Sequence, residues 1–167
     1  SDLSVIDVGG GASVFVDDLL DRGFADITVL DHSPVGMALA RQRLGTRAAT
    51  VTWIEADLLT WQPARTYDVW HDRAVLHFLL EPDQRQAYGQ ALRAATHPGS
   101  VAIIGAFGPQ GPQMCAGLPV RRFDLDDLRE VLGAHFTIVE SHLADHIKPS
   151  GETQQYLWIA ARRGNHG

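Results

Sequence analysis

Cysteine is nearly absent from this 167-residue chain: the single Cys115 excludes an internal disulfide framework and any zinc site built on cysteine pairs, and it points to a reducing compartment. No apolar run approaches the roughly 18 residues of a membrane span, and no basic segment leads into a short apolar stretch, so no membrane partner and a cytoplasmic location are expected. Positive charge is also scarce. With 14 basic against 20 acidic residues the formal charge is -6, which withholds the electrostatic footprint of a nucleic-acid binder. Internal repeats and low-complexity tracts are missing too. What remains is 45% hydrophobic, enough for one domain over residues 1–167 with a sizeable core.

Short β-rich runs alternate with helical patterns, the signature of βα units building a parallel sheet. Strands are expected at 4–8, 27–30, 51–56, 67–71 and 101–107. Between them Val14, Phe15, Leu19 and Leu20 recur at helical spacing, and a helix over 35–44 has Ser33 as N-cap and Pro34 at its first position. Residues 58–65 read as loop, 74–80 as a short helical turn, and Pro82 opens a helix that stops at His97-Pro98-Gly99. A Gly- and Pro-rich loop over 108–122 is too long for a simple connection. A helix over 124–132 and two strands at 136–142 and 155–161 follow, and strands joined without a helix must be antiparallel neighbours.

The first strand ends in Asp7-Val8-Gly9-Gly10-Gly11, an acid and a glycine turn at the mouth of a helix, where the backbone can approach a bound cofactor and free N–H groups can donate to it. A dinucleotide GxGxxG would need a third glycine where Val14 stands, and no Tyr-x-x-x-Lys pair exists, so an NAD-dependent reductase is the weaker reading. Asp31, with His32 beside it, ends the second strand, where a carboxylate can accept both hydroxyls of a ribose. Asp57 ends the third, placed to accept from an adenine amino group under apolar cover from Leu58; its alternative is a simple cap. Three acids at the carboxyl ends of successive strands mark the edge where open α/β sheets bind ligands.

These motifs resemble the class I S-adenosylmethionine (SAM)-dependent methyltransferases, and more narrowly their type 11/12-like members. Asp7-Val8-Gly9-Gly10-Gly11 is similar to the family's first motif, Ala56-Asp57-Leu58 to its adenine motif, and Tyr67-Asp68-Val69-Trp70-His71-Asp72-Arg73 to its fourth. The resemblance covers nearly the whole chain. It implies a three-layer α/β/α Rossmann-like fold with a mostly parallel seven-stranded sheet, order 3-2-1-4-5-7-6, last strand antiparallel. It implies SAM as cofactor and S-adenosylhomocysteine (SAH) as product, with Asp7 and Gly9 toward the methionine amino group and Gly11 toward methionine and ribose. Asp31 would meet the ribose, Asp57 and Leu58 the adenine, and His71, Asp72 and Arg73 the methyl-donor end, with Gly10 and His32 also binding the cofactor. Family members carry helices before the first strand, whereas this sequence begins at the strand: a minimal form is expected, leaving acceptor recognition to residues 108–122, to residues 142–151 or to a partner chain.

The expected activity is methyl transfer to a small-molecule oxygen, nitrogen or sulfur nucleophile by a monomer or homodimer; the rival is a SAM/SAH-binding module without efficient turnover. Alignment of acceptor and methyl supplies most of such a rate, and a general base is needed only where the acceptor must lose a proton. His77 is the candidate base, against a core histidine, and His71 is a second catalytic candidate that could orient cofactor or substrate, against a strand-end polar residue. Cys115 lacks an obvious activating partner. His142 and His146 share a strand face but do not make a diagnostic metal site with Asp72 or Cys115, so no metal is expected. Trp61 could wall the adenine pocket, and Arg121-Arg122 could meet an acidic substrate.

Overall fold

The computed structural model describes residues 1–165; residues 166 and 167, the end of the expected domain, lie outside the described residues. Strands β1 (Ser4–Val8), β2 (Asp26–Asp31), β3 (Val51–Glu55), β4 (Tyr67–Arg73) and β5 (Thr96–Phe107) are joined by helices α1 (Phe15–Asp21), α2 (Pro34–Leu44) and α3 (Pro82–Ala94), with a loop in place of a helix between β3 and β4. A two-residue ribbon, β6 (Met114–Cys115) with β7 (Leu118–Pro119), then precedes α4 (Leu125–Leu132) and the long pair β8 (Phe136–Ile147) and β9 (Thr153–Arg163). The large sheet runs β3-β2-β1-β4-β5-β9-β8. With its seven strands counted alone this is 3-2-1-4-5-7-6, and the last strand, β9, is antiparallel to both its neighbours.

Alternation along the strands divides the core into two layers. Val5, Ile27, Val29 and Val51 pack with Val16 and Leu19 of α1 and Leu44 of α2. Ile6, Val8, Trp70, Ile104 and Ile159 face the other way, onto Tyr88 and Leu92 of α3 and Leu128 and Leu132 of α4. The three layers and the sheet therefore stand as expected.

Local chemistry explains the helix starts. Ser33 accepts from the Gly36 N–H at 3.1 Å with Pro34 next in line, and Asp124 and Asp127 cap each other's backbone at the start of α4. Several boundaries differ from the sequence pattern. His97-Pro98-Gly99 lies inside β5, because that strand begins at Thr96, and β8 and β9 extend as one antiparallel ladder from Phe136↔Arg163 to Ile147↔Thr153. Long-range pairing, which leaves no local mark, overrides the turn signal. The expected loop over residues 108–122 contains the β6–β7 ribbon.

Candidate active site

Parallel register gathers the carboxyl ends of β1, β2 and β4 along one edge: Val8 lies opposite both Leu30 and Asp72, and Asp7 opposite both Val29 and His71. Three cavities line up there. The largest, about 800 Å³, is bordered by Asp31, His32, Asp57 and Leu58 at a polar end and by Phe78, Leu79, Leu118 and Pro119 at an apolar one. It meets a small lobe of about 190 Å³ at Gly9, Arg73 and Ala74, and that lobe meets a third, of about 470 Å³, at Ser13, His71, Arg73 and Tyr156. A further cavity of about 520 Å³ lies between α3 and α4, away from this edge, among arginines and carboxylates of both elements.

The glycine turn is shaped by close approach. Gly9 and Gly11 take φ of +69° and +34°, and a Cβ at Gly10 would come within 2.5 Å of Asp7 Oδ2. Asp7 Oδ1 accepts from His71 at 2.8 Å, while Oδ2 is buried without a hydrogen-bond partner. Burial pushes the Asp7 carboxyl above the usual carboxylate range, partly offset by His71. An orphaned carboxylate oxygen walling the small lobe suits a ligand amino group, which would supply the missing donor. Among the described residues, Arg73 is the one arginine or lysine lining the three lobes, and its guanidinium lies 5.6 Å from the Tyr156 ring centroid.

Asp31 is buried, with Oδ1 accepting from the Ser33 N–H at 2.7 Å, and a Cβ at Gly11 would sit 2.8 Å from its Oδ2. His32 is exposed beside it. Asp57 is exposed; its Oδ1 accepts from the Leu59 N–H at 2.9 Å, so it caps the following turn and borders the cavity at once, and Leu58 beneath it is buried. A polar pair of acids over an apolar floor suits a nucleoside.

Two predicted residues are elsewhere. Asp72 does not reach the cleft: strand alternation sends His71 and Arg73 to the cleft side and Asp72 to the α3 side, where it is fully buried. Its carboxylate accepts from the Val75 and Leu76 N–H groups and from the Tyr88 hydroxyl at 2.8 Å, anchoring the turn after β4. His77, the candidate base, is a core residue with no exposed surface, stacked on Phe107 at 4.1 Å and accepting the Phe107 N–H at Nδ1. Burial lowers its pKa to about 4, so it stays neutral.

Trp61 packs against the α3-side core rather than the cavity, and Arg121 and Arg122 are engaged by Asp127 and the Pro109 carbonyl. The Cys115 thiol is half-buried, and burial raises its pKa, the opposite of what a nucleophile needs. Among the described residues no three His, Cys, Asp or Glu side chains converge on a metal position. Sequence reasoning missed Tyr156 and Trp158 as cleft residues. They come from β9, brought beside Phe107 and Gly105 by antiparallel register, and no local motif marks them.

Residues 5–99 match the family described as a methyltransferase domain. The chain belongs to that family. A structure solved in work on conversion of a disulfide bond into a thioacetal group during echinomycin biosynthesis is 25% identical, with TM-score 0.78, over 99% of this chain and 78% of the other. The Burkholderia thailandensis 1,6-didemethyltoxoflavin-N1-methyltransferase, solved with 1,6-didemethyltoxoflavin and SAH bound, is also 25% identical, with TM-score 0.76, over 98% and 72% of the two chains. The N-methyltransferase NodS from Bradyrhizobium japonicum shares the fold at 19% identity and TM-score 0.78, over 98% and 88%. No curated protein sequence matches the chain at a significant level.

Proposed function

We propose that this methyltransferase domain binds SAM along the three-lobed cleft and transfers its methyl group to a small-molecule acceptor. The observation that carries the reading is the order of groups along the cleft: the acids Asp31 and Asp57 border the large cavity, and Asp7, whose Oδ2 has no partner, borders the small lobe joined to it. Both the B. thailandensis enzyme and NodS have been solved with SAH. When bound, the cofactor supplies an activated methyl carbon on a sulfonium. In this reading Asp31 and Asp57 hold the ribose and adenine, Asp7 Oδ2 accepts from the methionine amino group, and Arg73 pairs with the methionine carboxylate. Leu58, Val75 and Leu79 exclude water beside the nucleoside. Binding then orients the reactants, which is the greater part of the catalysis such a transfer requires.

Calorimetric titration with SAH and with NADH tests the cofactor: SAH binding is expected, and binding of NADH alone overturns the reading. Cofactor binding without turnover is the second reading. It is favoured by Ile103 of β5 and Ala160 of β9, which are half-buried and lie outside the apolar clusters of the described residues. Radiolabelled methyl transfer to a panel of phenols, amines, thiols and carboxylates separates the two.

A further inference from the structure

The third lobe has walls unlike the rest of the cleft. Trp158 lies flat on β5, so close that a Cβ at Gly105 would meet its ring carbons at 2.7 Å. Glycine at that position makes room for an indole platform. Tyr156 stands beside it, with centroids 6.1 Å apart and planes inclined by 22°, and His71 continues the row at 6.1 Å and 29°. Phe15 stacks on His71 at 3.9 Å. A row of nearly parallel rings bordering an open cavity is a stacking surface for another planar ring.

His71 is held as a base would be held. Register places it beside Asp7 on the neighbouring strand, with Nδ1 2.8 Å from Asp7 Oδ1. With Asp7 ionised its carboxylate can only accept, which puts the proton on Nδ1 and the lone pair on Nε2. The imidazole lines both the small lobe and the third lobe.

We propose that the third lobe is the acceptor subsite, that it takes a planar aromatic or heteroaromatic small molecule bearing an ionisable O–H or N–H, and that His71, positioned by Asp7, is its general base. The proposal rests on the cofactor reading above. The acceptor proton passes to His71 Nε2, and the freed electron pair forms the bond to the methyl carbon. The carbon–sulfur bond breaks with its pair left on sulfur, and the imidazolium returns its proton to solvent. The groups facing this step are Asp7 from β1, Asp18 from α1, Asp145 and His146 from β8, Tyr156 from β9 and Arg73 from β4 itself.

The test is radiolabelled methyl transfer to hydroxyquinoline and lumazine against an aliphatic amine, thiol and carboxylate, with SAH titrated into each protein in parallel. Ring acceptors should be methylated and the aliphatic ones not. Gly105→Ala, which lifts the Trp158 ring, should raise KM for the ring acceptor about tenfold with SAH affinity unchanged. His71→Asn should lower kcat by roughly a hundredfold or more and remove the acid limb of the pH–rate profile. SAH binding without ring methylation, a preference for aliphatic acceptors, or an unchanged kcat and acid limb in His71→Asn overturns this inference alone. Failure of SAH to bind overturns the cofactor reading instead.

Discussion

At the scale of single residues, burial moves the proton affinities of Asp72 and His77 in opposite directions. His77 is driven from 6.5 down to about 4, so between those values the unfolded chain binds the extra proton and native stability falls as pH drops. Asp72 is driven from 3.8 up to about 6, so its contribution is full at low pH and is lost as pH rises through 6. The two oppose each other, and each is exposed by removing the other. The deficit of His77→Gln relative to wild type should therefore shrink by about 3 kcal/mol as pH falls from neutral to about 4, read from urea melts across pH. A deficit that does not change with pH would show that His77 is not held neutral. The acids of the cleft differ in the same terms. Asp31 is buried and Asp57 exposed. Asp31→Ala should weaken SAH by about 1–3 kcal/mol and Asp57→Ala by less than about 1, measured by calorimetry; wild-type affinity in both variants would show that the nucleoside is bound elsewhere.

Among the elements, β4 does most to organise the site. Its alternation gives His71 and Arg73 to the cleft and Asp72 to the core, where Tyr88 of α3 donates to Asp72 and accepts from the Trp70 indole N–H at 3.2 Å. Tyr88→Phe strands both partners and should cost about 1–3 kcal/mol in urea unfolding, with SAH affinity unchanged. A loss of SAH affinity would mean that the turn after β4 moves with its anchor. That turn carries Ala74 at a φ of +79°, a left-handed conformation held by its N–H donating to the Gly105 carbonyl. The order of β4 residues was open to a period-two reading: once His71 faces the ligand edge, Asp72 cannot. His77 was not open to one, because it lies on a short 3₁₀ turn, Leu76–Phe78, whose burial depends on Phe107 thirty residues later.

For the whole molecule, a ligand bound along the edge ties β1, β2 and β4 to the turns after them, and it binds only the native state. SAH at about a hundred times its dissociation constant should add about 2.7 kcal/mol and raise Tm by roughly 5–10 °C, by scanning calorimetry. NADH at the same concentration should leave Tm unchanged. No helix of the described residues is long and apolar enough to cross a membrane.

The sequence by itself determined the βα alternation and the acids Asp7 and Asp31 at the carboxyl ends of their strands, because these depend on local periodicity and turn chemistry, while the strand order followed from the resemblance to a known family. Tertiary structure alone decided which neighbours of those acids face the cleft. Asp7 finds His71 sixty-four positions away, and Gly105 receives the ring of Trp158, through register between strands distant in the chain. Such pairings are set by burial of whole strand faces, a property of the folded sheet that no short stretch of sequence records.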